Sequence, residues 1–252
     1  MGPRSHCNSE STTNRQSRRL FDRRYRGRTE RALVFAAAAA ALLSSLSGAS
    51  SAFAASGASA RTETLVFVRH GEKPAGGYGQ LDCQGLNRAL ALPAVVAAKF
   101  GKPNAIYAPN PSIRKEDAGV RYDYVRPLAT IEPTAIQFGL PVDTTYGYAQ
   151  IDALKQELVK PEQAGKLIVA AWEHHEIEDL VQEIVTQYGD AGQKVPHWRS
   201  GDFDSIYVVK LDWDPQSTMP HATFSLDREG LDGRSADCPC AALPDAAPAA
   251  AR

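Results

Sequence analysis

Two short clusters of histidine, arginine and acidic residues each follow an apolar run, and both contain residue types that can act on a phosphate ester. The clusters are Arg69-His70-Gly71-Glu72-Lys73-Pro74 and Glu173-His174-His175-Glu176. A neutral imidazole can attack phosphorus directly. Guanidinium groups match phosphate oxygens in geometry and stay charged at neutral pH. The glycine lets the backbone turn sharply or approach a neighbour closely.

The elements around these clusters predict an α/β fold, a three-layer sandwich with a mostly parallel sheet, helices on both faces and an antiparallel edge pair. Residues 64–68 and 166–172 are apolar runs typical of buried strands. The pattern also predicts a strand at 104–108, helices at 85–100, 127–138, 151–159 and 176–188, and an antiparallel pair at 205–212 and 221–227. Pro93 is expected to kink or split the first helix. Ligands of such folds bind outside the carboxyl ends of the strands, where both histidine clusters fall.

An arginine in mid-chain and a histidine after the later strand extend the first motif to a pattern that matches a known protein family. Arg126 lies mid-chain in Tyr124-Val125-Arg126-Pro127, and His174 follows the later strand in Trp172-Glu173-His174. Together with Arg69-His70-Gly71, this order resembles the histidine phosphatase superfamily, the phosphoglycerate-mutase-like proteins, over residues 64–227. The resemblance implies that His70 becomes transiently phosphorylated while Arg69, Arg126 and His174 hold the phosphoryl group. It implies no metal and no other cofactor.

The proton donor to the leaving group is left open, with Glu72, Glu173 and Glu176 as candidates. Lys73 can either hold a phosphate or form an ion pair with Glu72. The adjacent side chains of His174 and His175 are expected to diverge, so that one of them faces the pocket. His174 is favoured by the match of Trp172-Glu173-His174 to the family's motif, with His175 a possible further phosphate ligand.

Several residues have competing interpretations. Arg114 or Arg121 is the alternative to Arg126 as the second arginine. Asp82 and Arg88 are predicted to be a helix cap and a surface residue rather than catalysts. Trp172, Trp198 and Trp213 are predicted to pack in the core or at its rim.

Two other classes of function compete with the phosphatase. One is an inactive family member that binds a phosphorylated ligand. The other is a metallohydrolase whose metal is bound by His70, His174, His175 and nearby acids, although the chain lacks the H-x-x-x-H or H-x-H spacing of such sites.

The ends of the chain differ from its body in charge. Of the 252 residues, 43 % are hydrophobic and 23 % are charged, with a net charge of −1. Residues 1–54 hold nine arginines and three acids. Within this range an arginine-rich segment is followed by an alanine-rich apolar run and then by Ala52-Phe53-Ala54, an order that is typical of an export signal. The Arg18-Arg19 pair resembles a twin-arginine signal. The sequence therefore predicts a periplasmic or secreted protein with no stable membrane span after cleavage.

The body from residue 55 onward carries a net charge of −7, which disfavours nucleic acid as a partner. A small phosphorylated substrate is expected, and the oligomeric state is not predicted. We expect a flexible lead-in at 55–62, the catalytic domain at 63–235 and a disordered tail at 241–252. After signal cleavage three cysteines remain, Cys83, Cys238 and Cys240, and a disulfide between Cys83 and one of the other two is expected.

Overall fold

A computed structural model describes residues 59–239 of the chain, except Tyr78 and Ala118. The strands in this part of the chain are β1 (Arg61–Arg69), β2 (Ala105–Tyr107), β3 (Lys115–Asp117), β4 (Val120–Tyr122), β5 (Val142–Asp143), β6 (Leu167–Trp172), β7 (Ser205–Trp213) and β8 (His221–Arg228). The helices are α1 (Cys83–Lys99), α2 (Arg126–Phe138), α3 (Ile151–Leu158) and α4 (His174–Tyr188), with a 3₁₀ turn at Pro161–Gln163.

Six strands form one sheet in the order β5-β2-β6-β1-β7-β8. The four strands from β5 to β1 run parallel, and β7 and β8 are antiparallel, which confirms the predicted edge pair. Along β1 and β6, Thr64 pairs with Leu167 and Arg69 pairs with Trp172. The two strands therefore end at the same level, and the residues that follow them, His70 and Glu173, emerge at one edge of the sheet.

Apolar side chains of β1 alternate between two cores, as the period of a strand requires. Leu65 and Phe67 pack with residues of α3 and α4 on one face. Val66 and Val68 pack with residues of α1 and α2 on the other. This arrangement confirms the three layers. All three tryptophans are buried, so their predicted packing role is also confirmed.

Local differences from the predicted elements have physical causes. The hairpin β3–β4 was not predicted because Lys115-Glu116-Asp117 shows no apolar alternation. Helix α1 continues unbroken through Pro93. Strand β1 begins at Arg61, so the last two residues of the expected lead-in 55–62 are extended strand paired with β7.

The segment after β8, residues 229–238, forms a C-terminal strap across the start of α1. Cys238 is disulfide-bonded to Cys83, the first residue of α1, which confirms one of the two expected pairings. The Asn87 side chain donates to the carbonyl oxygens of Ser235 (2.9 Å) and Asp237 (2.8 Å). The strap is therefore joined to α1 by a covalent bond and two hydrogen bonds.

The predicted export signal at 1–54, the tail at 241–252 and Cys240 lie outside the described residues. Among the helices of the described part, none combines the length and the apolar character needed to cross a membrane.

Candidate active site

His70 lies directly after β1 and is only 2 % exposed. Its Nδ1 is 2.8 Å from the Gly71 carbonyl oxygen. In the neutral tautomer Nδ1–H donates to that carbonyl, which leaves Nε2 as the unprotonated nitrogen. Burial lowers the pKa of His70 to about 3, against the Gly71 hydrogen bond, and the charges of Arg126 and Arg69 lower it further. The imidazole is therefore neutral at pH 7, as a nucleophile requires.

The buried neutral His70 is expected to make the protein less stable as the pH falls. The unfolded chain binds a proton at this histidine below about pH 6.5, whereas the folded protein binds it only near pH 3. Between pH 7 and pH 5, wild type should lose about 2 kcal/mol of unfolding free energy more than His70→Asn does. Denaturant melts of both proteins at the two pH values measure the difference. Equal losses of unfolding free energy in the two proteins would contradict a buried, neutral His70.

The loop after His70 is held against the helices by close backbone contacts. The Gly71 amide donates to Thr130 Oγ1 at 2.9 Å, and that hydroxyl donates to the Arg126 carbonyl at 2.9 Å. A Cβ on Gly71 would lie 2.9 Å from Gly85 Cα, and a Cβ on Gly85 would lie 2.3 Å from the Glu72 carbonyl oxygen. The structure therefore shows close approach, rather than a positive φ, as the reason for glycine at position 71.

Arg69, the last residue of β1, is 3 % exposed and fixed by the segment before β7. Its Nη1 donates to the carbonyl oxygens of Ser200 (2.6 Å) and Asp202 (2.9 Å). The Phe203 ring centroid is 3.9 Å from the guanidinium carbon. Burial lowers the pKa of Arg69 to about 10, with Glu173 opposing, so the group is still charged at pH 7.

Arg126 is the first residue of α2, and its guanidinium is 1 % exposed. Its Nη1 donates to the Gly77 carbonyl oxygen of the loop after β1. Its Nη2 lies 3.4 Å from the Tyr122 hydroxyl and 3.8 Å from an Asp117 carboxylate oxygen. The loop after β1 and the hairpin β3–β4 thus hold Arg126 from two sides.

The structure brings Arg126, rather than either alternative arginine, to His70. Arg114 is exposed and pairs with Asp123 at 3.0 Å. Arg121 is exposed on β4. Within the described residues, the buried Nε atoms of Arg69 and Arg126 have no hydrogen-bond partner. Two buried guanidinium groups with unused donors suit the binding of an anion.

Helix α4 begins with both histidines of the second cluster. The Glu173 side chain caps the helix by accepting from the amides of His175 (2.8 Å) and Glu176 (3.3 Å). His174 is 5 % exposed and His175 is exposed, so His174 is the one buried at the site. The expected divergence of the two side chains is wrong, because their rings lie 4.0 Å apart on the first helical turn.

His174 is held in a mixed electrostatic environment. Its Nδ1 lies 2.5 Å from a Glu173 carboxylate oxygen. Burial lowers the pKa of His174 and the Arg69 charge adds to this effect, while Glu173 opposes both. The lowered pKa favours the neutral imidazole of His174 in the free site. A bound phosphate dianion would favour its protonation, since an opposite charge raises the pKa of a histidine.

The three candidate proton donors differ in their surroundings. The Glu72 carboxylate accepts two hydrogen bonds from Arg88 Nε and one from Nη2, the last at 2.7 Å. Burial raises the pKa of Glu173, but the contact with His174 and the charge of Lys115 outweigh it and lower the pKa to about 2. Burial and the charge of Glu173 raise the pKa of Glu176. A proton donor needs a raised pKa, which Glu176 shows.

Arg88 is not the predicted surface residue, because its side chain is fully buried. Besides Glu72 it pairs with Glu229 at 2.7 Å, Asp232 at 3.0 Å and Asp204 at 3.5 Å. The predicted cap at Asp82 is confirmed, since its side chain accepts from the Gly85 amide at 2.8 Å. Arg88 therefore joins the loop after His70 to the C-terminal strap and to the start of β7.

Tertiary structure adds residues to the site that sequence reasoning missed. Tyr124 is fully buried, with its ring edge-on to His70 at 6.3 Å between centroids and 4.9 Å from the Arg126 guanidinium carbon. Lys115 Nζ lies 5.4 Å from the centroids of both Tyr124 and Tyr148. The alternate spacing of Tyr122 and Tyr124 at the end of β4 was the available signal, since alternate residues of an extended segment share a side.

Lys73 and His175, the possible additional phosphate ligands, are both exposed. The ion pair of Lys73 with Glu72 is not formed, because Glu72 is bound to Arg88. His175, with Glu173 and His174, offers donor atoms that all lie within 4.8 Å of one another. This trio can hold a divalent metal ion, which would compete with a substrate for His174.

No family model matches the chain, and no curated protein does. Solved structures similar to it include a protein named as the phosphohistidine phosphatase SixA of Nakamurella multipartitia, at 15 % identity and a TM-score of 0.44, covering 68 % of this chain and 97 % of that one. They also include a mycobacterial glucosyl-3-phosphoglycerate phosphatase in complex with inorganic phosphate, at 16 % identity and a TM-score of 0.43. The match covers 65 % of this chain and 95 % of that one. A third, named as the SixA of Agrobacterium tumefaciens, has 12 % identity and a TM-score of 0.40. The match covers 66 % of this chain and 96 % of that one. The chemistry of the site rests on its own residues.

Proposed function

We propose that the protein is a histidine phosphatase that hydrolyses phosphate monoesters through a phosphohistidine on His70. The observation that carries this proposal is the state of His70. Burial keeps the imidazole neutral, and the Nδ1 contact with the Gly71 carbonyl leaves Nε2 as the nucleophilic nitrogen. The buried guanidinium groups of Arg69 and Arg126 supply positive charge around it.

The reaction proceeds in two displacements at phosphorus. His70 Nε2 donates its electron pair to phosphorus, the bond from phosphorus to the ester oxygen breaks, and that oxygen takes a proton and leaves as an alcohol. Water then attacks the same phosphorus, the phosphorus–nitrogen bond breaks, and inorganic phosphate leaves. Arg69, Arg126 and a protonated His174 stabilise the negative charge on the phosphoryl oxygens in both transition states.

The proposal is tested with full-length mature protein and an aryl phosphate, in the presence of a chelator. Turnover should survive the chelator, and alkaline quenching should trap one phosphoryl group that peptide mass spectrometry assigns to His70. Turnover lost to the chelator and restored by zinc would favour the metallohydrolase that Glu173, His174 and His175 can form. Phosphate binding without turnover would favour the ligand-binding family member.

Glu176 is proposed as the proton donor because it lies half-buried on the first turn of α4, two residues after His174, and burial raises its pKa. Glu176→Gln should lower kcat for an alkyl phosphate by about 10²-fold, the range of a general acid, because an alkoxide leaves poorly without a proton. For 4-nitrophenyl phosphate the loss should be a few-fold, since its leaving group needs no proton. Equal losses on both esters would contradict this role.

We also propose that the protein is exported. The arginine-rich head with its apolar run and the disulfide between Cys83 and Cys238 both support this, because such bonds persist in oxidising compartments. Fractionation of cells that express the full chain should place a shortened protein outside the cytoplasm. An uncut chain in the cytoplasm would contradict export.

A further inference from the structure

Lys73 lies on the loop between β1 and α1, three residues beyond His70, and its ammonium group is turned toward Arg126. A Cβ placed on Gly77 would meet Lys73 Nζ at 2.8 Å and Arg126 Nη1 at 3.5 Å. Gly77 has a φ of +66° and no side chain, so both cations approach the same point beside its backbone. Lys73 thus lies next to the guanidinium that is proposed to bind the phosphoryl group.

The acids near Lys73 are occupied by other partners. Glu72, its neighbour in sequence, accepts its hydrogen bonds from Arg88. Asp117, the acid whose charge acts on Lys73, accepts from the Tyr122 hydroxyl and lies 3.8 Å from Arg126. Within the described residues, Lys73 makes no ion pair and donates no hydrogen bond to a side chain or a carbonyl.

The other charges around Lys73 are mostly positive. Burial lowers the pKa of Lys73, and the charges of Arg126, Lys115 and Arg69 lower it further, with Asp117 opposing them. Lys115 approaches from the hairpin β3–β4, 3.9 Å from Asp117 and against the rings of Tyr124 and Tyr148. Gathering four cations at one opening raises the free energy of the unliganded protein, and an anionic ligand would relieve that repulsion.

We propose that Lys73 binds a second anionic group of the substrate, with the charge of Lys115 adding to the attraction, so that the substrates are phosphate monoesters with a further phosphate or carboxylate. This inference rests on the proposed function, because it takes the phosphoryl group to lie between Arg69 and Arg126. One dianionic phosphate balances those two guanidinium groups. Asp117 lies within ion-pair distance of Lys115, so the ammonium group of Lys73 is the one left for a second anion. A lysine that can rotate at the opening accepts either kind of anion as a point charge.

The test measures equilibrium binding, which does not depend on turnover. The ligands are three phosphonates of similar length that cannot be hydrolysed, namely propylphosphonate, 3-phosphonopropionate and propane-1,3-bisphosphonate. Calorimetry gives their Kd values for wild type, Lys73→Met, Lys73→Arg and the control Lys102→Met, which changes an exposed lysine between α1 and β2.

Wild type should bind at least one of the two charged-tail phosphonates about tenfold more tightly than propylphosphonate, as one charge-assisted contact allows. Lys73→Met should remove most of this preference, while Lys73→Arg and Lys102→Met keep it. The Kd values of 3-phosphonopropionate and propane-1,3-bisphosphonate show whether a carboxylate or a second phosphonate is preferred. Equal Kd values for all three ligands in wild type, or a preference unchanged in Lys73→Met, would overturn the proposal. Absence of phosphohistidine in the earlier assay, with this preference present, would instead overturn the catalytic proposal alone.

Discussion

Replacing His70 by asparagine is expected to lower kcat for an aryl phosphate by about 10⁴-fold or more, the scale seen when an enzyme loses its nucleophile. Asparagine is smaller than histidine and also polar, and its amide can donate to the Gly71 carbonyl that accepts from Nδ1 in wild type. It has no nitrogen with a lone pair that can bond to phosphorus. The first displacement is therefore removed, while Arg69 and Arg126 remain in place.

The measurement compares single-turnover and steady-state rates with the binding of inorganic phosphate. His70→Asn should still bind phosphate, since Arg69 and Arg126 supply the donors. His221→Asn is the matched control, because His221 lies on β8, is half-exposed and pairs with Asp190 at 3.1 Å. Its turnover should equal that of wild type. Turnover by His70→Asn within tenfold of wild type would contradict the phosphohistidine mechanism.

Replacing Arg88 by methionine is expected to destabilise the protein by about 3–5 kcal/mol, the cost of leaving buried charged partners unpaired. The Glu229 side chain is fully buried and bonded to Arg88 Nη1 at 2.7 Å. Burial raises the pKa of Glu229 and Arg88 opposes the shift, so removing Arg88 removes the group that favours the charged carboxylate. Without Arg88, Glu72 also loses its hydrogen bonds to the guanidinium, so the loop after His70 loses a support as well.

Denaturant unfolding with the disulfide intact measures this loss. Asp232→Asn is the matched control within the same cluster, because the Asp232 side chain is 70 % exposed and its pairing should contribute less than about 1 kcal/mol. The double variant Arg88→Met, Glu229→Gln should recover part of the stability by removing the buried acid. A loss below about 1 kcal/mol in Arg88→Met would show that the cluster does not hold the strap and the loop together.

The Arg88 cluster and the disulfide act on the same pieces of chain. The C-terminal strap is joined to α1 through Cys83 and Asn87, and it carries Glu229 and Asp232 to Arg88. Glu72 links that cluster to the loop on which the proposed nucleophile lies. The stability of the strap and the geometry of the site are therefore coupled through side chains that do not touch substrate.

The sequence by itself predicted five of the six strands of the main sheet, all but β5, together with the four helices and the candidate reactive residues. Apolar runs at 64–68 and 166–172 predicted two buried strands, because burial on both faces leaves a continuous apolar stretch. Motif order then singled out His70, Arg126 and His174. The strand predictions are confirmed, because each depends on residues close together in the chain, whereas the roles of the three site residues are tested by the experiments above.

Only the tertiary structure decided which charged groups meet. Arg88 and Glu229 are 141 residues apart, and no local pattern distinguishes a buried arginine from a surface one. The contact of Arg88 with Glu72 removed Glu72 as a partner for Lys73. The hairpin that carries Lys115 and Asp117 to the site has too little apolar alternation to be predicted. Charged side chains pair according to distance and burial, and both arise only when remote segments pack together.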